Sequence, residues 1–146
     1  MNLIIKEINT PEDLIKVFKL RIEVFTFEQN CPIEEEFDLY DNLSKSSQFI
    51  VENEGECIGT ARITFYAKNK IKIERVCVKK DKRNMNVGSE LMKRLHYNLV
   101  KDEVKVVEIS AQMSALKFYK NLGYLEEGPT YLEAGLEHIK MIKKLT

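Results

Sequence analysis

The stretch Ile73-Glu74-Arg75-Val76-Cys77-Val78, then residues 79–82, then Arg83-Asn84-Met85-Asn86-Val87-Gly88-Ser89, decides the reading of this chain. The first six residues are rich in apolar and β-branched types and read as the end of a strand. A polar turn follows. Val87, Leu91, Met92, Leu95 and Leu99 then recur at helical spacing and form one stripe. Backbone N–H groups at a helix N-terminus have no intrahelical partner and point along a favourable dipole. Such a turn is a ready anion site, most often for phosphate. Gly88 lets the backbone approach a ligand closely. The spacing fits neither G-x-x-x-x-G-K-[ST] nor G-x-G-x-x-G, so the two common nucleotide loops are absent.

On the N-terminal side, Leu3, Ile5 and Ile8 suggest a short strand. Thr10-Pro11-Glu12-Asp13 reads as a helix start, with Thr10 as cap, Pro11 in the first turn and Asp13 where a capping-box acid belongs. Leu14, Val17, Phe18, Arg21, Ile22 and Phe25 carry that helix to about Phe25. Residues 28–47 are polar and long enough for a functional loop. Phe49-Ile50-Val51 and residues 57–66 read as strands around an Asn53-Glu54-Gly55 hairpin turn, and residues 71–78 complete an antiparallel meander. On the C-terminal side, residues 104–109 suit a buried strand. Residues 114–122 suit a helix ended by Gly123. Residues 124–126 and 136–145 look like closing strands. The order β-α-β-β-β-α-β-α-β-β predicts one mixed α/β domain over residues 1–146. Its central sheet, of about six or seven strands, is largely antiparallel and flanked by about four helices.

Composition bounds the function. The chain has 146 residues, 44% hydrophobic and 32% charged, as a soluble globular domain has. Lys+Arg 23 balances Asp+Glu 23, so no strongly basic nucleic-acid surface is implied. Cys31, Cys57 and Cys77 are odd in number and contain no C-x-x-C, which argues against a disulfide framework or a structural zinc. The N-terminus lacks a signal peptide's apolar core, and no run approaches the ~20 residues of a membrane span. We expect a reducing, cytoplasmic setting, with no metal, no nucleic acid and no membrane partner; a homodimer is left open.

Arg83-x-x-Asn86-x-Gly88 resembles the pyrophosphate loop of the GNAT acetyltransferase superfamily, Arg/Gln-x-x-Gly-x-Gly/Ala. Arg75-Val76-Cys77-Val78 resembles that family's strand-end motif. Ala115-Leu116-Lys117-Phe118-Tyr119-Lys120-Asn121-Leu122-Gly123-Tyr124 resembles its A-x-x-F-Y-x-x-x-G-F/Y motif. Order and spacing agree for all three, and the likeness covers nearly the whole chain. Leu20-Arg21-Ile22-Glu23-Val24-Phe25, Phe27-Glu28-Gln29-Asn30-Cys31-Pro32 and Gly135-x-x-His138-x-x-Met141-x-Lys143 are similar to the small bacterial ElaA-type branch. The family usually has glycine where this chain has Asn86. Asparagine tolerates the left-handed region better than most residues, while its side chain either crowds the phosphates or hydrogen-bonds to them.

The resemblance implies an acyl-CoA-dependent N-acetyltransferase that moves an acetyl group from acetyl-CoA to a primary amine in a ternary complex. A non-catalytic acyl-CoA-binding domain is the alternative. It implies that the pantetheine arm lies along Val76, Cys77 and Val78. The N–H groups of Arg83, Asn84, Met85, Asn86, Val87, Gly88 and Ser89 would hold the pyrophosphate, and Gln112 would touch the pantetheine. The chemistry needs a neutral amine, and an ammonium of pKa ≈ 10.4 is only ~0.04% neutral at pH 7. Family resemblance gives Tyr119 the leaving sulfur. For the base it offers His138, favoured because the closing strand often lines the family's acceptor site, or Glu74. Arg21 and Arg75 each interrupt an apolar stripe. They form either a clamp for the carboxylate of a small amino-acid-like acceptor or structural ion pairs with Glu23, Glu28 or Glu74. The acids Glu34, Glu35, Glu36, Asp38 and Asp41 read as a solvated loop face, with attraction of a cationic amine as the other reading.

Overall fold

The computed structural model describes residues 1–145. Seven strands form one sheet: β1 Leu3–Glu7, β2 Ser46–Asn53, β3 Glu56–Ala67, β4 Lys70–Val78, β5 Val106–Gln112, β6 Leu125–Glu133 and β7 Leu136–Lys144. Their spatial order is β1-β2-β3-β4-β5-β7-β6. Every neighbouring pair is antiparallel except β4 and β5. Four α-helices accompany them: α1 Pro11–Arg21, α2 Ile33–Glu36, α3 Val87–Lys101 and α4 Leu116–Asn121. The mixed α/β, largely antiparallel architecture is the expected one.

Local chemistry explains the starts and turns. The Asp13 N–H donates to the Thr10 hydroxyl at 3.2 Å, so Thr10 caps α1. The Asp13 carboxylate does not close a capping box; it faces Lys6 at 3.3 Å and Lys16 at 3.6 Å. Glu54 and Gly55 both have positive φ, 51° and 81°, as a tight hairpin turn requires. The predicted helix to Phe25 ends as an α-helix at Arg21 and continues as a π-helical stretch, Ile22–Glu28. There the Gln29 N–H reaches back five residues to the Val24 carbonyl at 3.1 Å. An apolar period of three and four does not register a five-residue turn.

The main core lies between α3 and the sheet. Val87, Leu91, Met92, Leu95 and Leu99 are all buried against Ile58, Ile63, Ile73 and Ile109. Burying such a leucine or methionine side chain contributes roughly 1.5–3 kcal/mol, which sets the position of α3 over the strands. The first closing strand, β6, is longer than the predicted residues 124–126. Gly128 (φ 82°) and Pro129 interrupt its pairing with β7 between Glu127 and Tyr131, and the strand then resumes. Proline is tolerated there because β6 is an edge strand.

His96 on α3 is bonded through Nε2 to the Tyr124 hydroxyl at 2.7 Å. Burial, aided by Lys143, pushes its pKa down from 6.5 to about 4. A depressed histidine contributes stability that is present above its unfolded pKa and lost as pH falls toward its folded pKa. Between pH 6.5 and about 4 the protein is therefore expected to lose about 3 kcal/mol through this group. Urea denaturation at a series of pH values checks this, and His96→Gln should flatten the profile over that window.

Candidate active site

The site begins with an irregularity in β4. Thr60 pairs with Cys77 and Arg62 with Glu74, so β4 carries one residue more than β3 across this interval. Arg75 takes up the extra length with φ 55°. A non-glycine residue in this region costs roughly 1–2 kcal/mol. Its side chain is anchored: Nε donates to the Glu36 carbonyl at 3.1 Å, and Nη2 reaches Asp38 at 3.4 Å. Beyond this point β4 and β5 diverge. They share one registered pair, Lys72 with Glu108, whereas β5 and β7 stay paired as far as Gln112 and His138.

The divergence opens a cleft of about 1080 Å³. Its two strand walls include Val76 and Val78 on one side and Ile109 and Gln112 on the other. The Lys79 N–H donates to the Ile58 carbonyl of β3 at 2.8 Å. Strand alternation therefore turns the N–H groups of Val76 and Val78 the other way, toward the cleft.

The far end of the cleft is the predicted anion turn. Asn86 stands before α3 with φ 63° and ψ 14°, the left-handed conformation its residue type tolerates. Its carbonyl accepts the Glu90 N–H at 3.0 Å, and no side chain caps the helix. The N–H groups of Val87, Gly88 and Ser89 thus have no intrahelical partner, and these three residues, with Arg83, Asn84 and Asn86, line the cleft. Met85 does not line it and is half exposed. A Cβ on Gly88 would lie 3.2 Å from Cζ of Phe118, so glycine also allows α4 to pack against α3. The Arg83 Nε donates to the Val78 carbonyl at 2.9 Å, and its fork holds Glu28, with Nη2 to Oε1 at 2.8 Å.

Tyr119, Glu74 and His138 all line the same cleft. Tyr119 is buried on α4, and burial pushes its phenol far above the usual range. Glu74 accepts from Arg62 Nη2 and from the Tyr66 hydroxyl, each at 3.0 Å. His138 is 5% exposed, and its Nδ1 is 2.7 Å from the Leu136 carbonyl. Gln112 donates to the Gln29 side chain at 2.9 Å, which ties the π-helical stretch to β5.

Arg21 does not join them, and its expected substrate role is corrected. It is 0% exposed, with Nε on Glu36 at 2.7 Å and Nη1 on Asp41 at 2.6 Å. Arg62, equally buried, holds Asp38, Asp41 and Glu74. Part of the acidic loop is therefore an internal ion network and not a solvated face. Burial alone would raise the Asp41 pKa, but Arg21 more than offsets it and holds the carboxyl well below its usual range. For Glu36 burial wins, and its pKa is raised. Tyr131, Ser110 and Glu133 also line the cleft and are not among the expected site residues, and Glu28 borders it through Arg83. Among the described residues no group of three His, Cys, Asp or Glu is placed to hold a metal ion, and no helix is long and apolar enough to cross a membrane.

The same arrangement, a seven-stranded sheet whose parallel pair splays beside a bare helix N-terminus, is shared by solved acyltransferases. Residues 15–145 match the acetyltransferase (GNAT) domain family. A Bacillus subtilis protein named as an uncharacterized N-acetyltransferase, YjcF, is 38% identical over 138 residues, covering 90% of this chain and 93% of its own. The crystal structure of Escherichia coli ElaA superposes with a TM-score of 0.86 at 25% identity, covering 98% of this chain and 99% of that one. An acyl-CoA N-acyltransferase from Pseudomonas aeruginosa superposes with a TM-score of 0.85 at 25% identity, covering 97% and 98%. The chain belongs to the GNAT acetyltransferase family, whose members use acyl-CoA.

Removing one partner of a buried ion pair costs about 3–5 kcal/mol, because the other charge stays buried and unpaired. Arg21→Met is expected to lose that much stability in urea denaturation. Lys93→Met, at a surface pair with Glu90, is expected to lose no more than about 1 kcal/mol.

Proposed function

We propose that this protein transfers an acetyl group from acetyl-CoA to a primary amine by direct attack in a ternary complex. One observation carries the reading: the free edge of β4 runs, within one cleft, to the uncapped N-terminus of α3. The Val76 and Val78 N–H groups suit the amide-bearing pantetheine arm, and the N–H groups of Val87 to Ser89 suit the pyrophosphate. Arg83, Asn84 and Asn86 border that phosphate end, and Gln112 borders the arm from β5. Bound there, acetyl-CoA supplies the activated thioester.

The remaining chemistry falls to side chains of the cleft. His138 Nε2 accepts the proton that the attacking amine must lose. Glu74 is the less available base, since Arg62 and Tyr66 already occupy its carboxylate. Tyr119 keeps its proton at working pH because burial raises its pKa. Full transfer to a thiolate is then uphill, so its contribution is a hydrogen bond to the departing sulfur, which leaves as thiolate and takes its proton from water. The left-handed Asn86 keeps the backbone path of the turn, which serves cofactor binding in either reading; Tyr119 and His138 in the same cleft favour turnover over the binding-only alternative. Of the two arginines of the expected carboxylate clamp, Arg75 alone faces the cleft.

Acetyl-CoA at ~100 times its Kd is expected to add ≈ 2.7 kcal/mol of stability, a Tm rise of roughly 5–10 °C for a chain of this size. ATP and NAD should give none. Tyr119→Phe should keep that rise and lower kcat about tenfold or more. Absence of a rise at millimolar acetyl-CoA would overturn the reading; a rise without turnover of any amine would favour the binding-only alternative.

A further inference from the structure

At the acceptor end of the cleft His138 Nε2 faces a Glu133 carboxylate oxygen at 3.5 Å, an ion pair when the ring carries both protons and two facing acceptors in the neutral form that a base requires. The Leu136 carbonyl can only accept, so His138 Nδ1 carries its hydrogen, and in the ring's neutral form the lone pair is at Nε2. That nitrogen lies 3.5 Å from Oε2 of Glu133. The arrangement is held in place. The Tyr131 ring stacks on His138 with centroids 6.1 Å apart and planes 22° apart. Its hydroxyl reaches across the sheet to Ser110, whose Oγ donates to the same Glu133 oxygen at 3.3 Å. His138 is nearly buried, while the Glu133 side chain is 56% exposed, so the pair is open from the cleft side. A primary ammonium, with three N–H donors on one atom, satisfies both acceptors at once.

The other charges at this end decide what else that ligand can carry. Arg75 is committed to Glu36 and Asp38, and both Glu36 and Asp38 are shared with a buried arginine. Glu35 lines the cleft, is exposed, and has no ion-pair partner among the described residues. Cys31, also in the lining, reports the local field: burial first, then Glu36 and Glu35, raise its thiol pKa against the opposing Arg75, and Glu133 adds to the rise. A carboxylate placed here would meet net repulsion, whereas a second positive group would not.

We propose that the acceptor is a cationic amine whose reacting ammonium sits between His138 Nε2 and Glu133, with a second positive group, and no carboxylate, toward Glu35. This rests on the acetyl-transfer reading above. The ammonium gives one proton to Nε2; the freed lone pair forms the C–N bond as the C–S bond breaks; the second proton that the new amide nitrogen sheds passes to solvent, from which the departing thiolate is protonated; Glu133 then faces an imidazolium. Glu133 is thus a specificity residue, and it makes a contact the neutral ring alone cannot.

The test compares putrescine, a four-carbon chain with an ammonium at each end, with γ-aminobutyrate, the same chain with a carboxylate at one end. Binding is followed by calorimetry on the CoA-loaded protein, and turnover by thiol release from acetyl-CoA. Putrescine is expected to bind at least tenfold more tightly. Glu133→Gln should weaken that binding about tenfold, leave the acetyl-CoA Tm shift unchanged, and raise putrescine KM more than it lowers kcat; Glu133→Asp should recover part of the loss. Equal or tighter binding of γ-aminobutyrate, or Glu133→Gln with unchanged putrescine affinity, would overturn the proposal. Tight putrescine binding without thiol release would uphold the cationic site and count against the acetyl-transfer reading instead.

Discussion

The extra residue in β4 at Arg75 is the constraint on which the rest of the site depends. A regular β4 would continue its parallel ladder with β5 and close the sheet. The left-handed Arg75 turns the strand aside after the single Lys72–Glu108 pair. Backbone groups that a sheet would normally consume are left facing a cleft, in line with the uncapped start of α3. The strained conformation persists because the Arg75 side chain is tied to the Glu36 carbonyl and to Asp38. Those partners belong to the segment that follows the π-helical stretch, so the wall of the cleft and the irregularity that opens it hold each other.

That segment is itself fixed by charge. Arg21 from α1 and Arg62 from β3 reach it from two sides, both fully buried, and converge on Asp41. Exposed pairs contribute about 0–1 kcal/mol, but Arg21, Arg62, Glu36 and Asp41 are nearly shut off from solvent, and breaking their pairs leaves buried charge. Its effect is positional as well as energetic. Glu36 and Asp38 present themselves to Arg75 only while Arg21 and Arg62 hold the chain that carries them. Ion pairing inside the protein therefore also sets the charge that faces the cleft, since it neutralises the arginines and leaves Glu35 and Glu133 unopposed.

Much of this was legible in the residues. The α3 stripe, the Glu54-Gly55 turn, the Thr10 cap and the left-handed tolerance of Asn86 are local effects, and local pattern carries them. The turn of residues 83–89 at the far end of the cleft was legible for the same reason, because it is one continuous segment. Arg21 was not, because its partners Glu36 and Asp41 lie fifteen and twenty residues along and sequence alone does not fold the acidic run back onto α1. The neighbours of His138 were not legible because the apolar pattern of the first closing strand stops at residue 126, whereas Gly128 and Pro129 mark a bulge on an edge strand that resumes at Tyr131. Tyr131 and Glu133 were therefore not seen as neighbours of His138, although β6 places Tyr131 directly opposite it.

Amide hydrogen exchange at Val76 and Val78, read residue by residue with and without acetyl-CoA, tests the opened β4 edge most directly. Both amides should exchange readily in the free protein, while that of Lys79, bonded to Ile58, is protected. Acetyl-CoA should slow Val76 and Val78 and the first amides of α3 together, and ATP should not. Protection of Val76 and Val78 in the free protein, or no change when acetyl-CoA binds, would contradict the account.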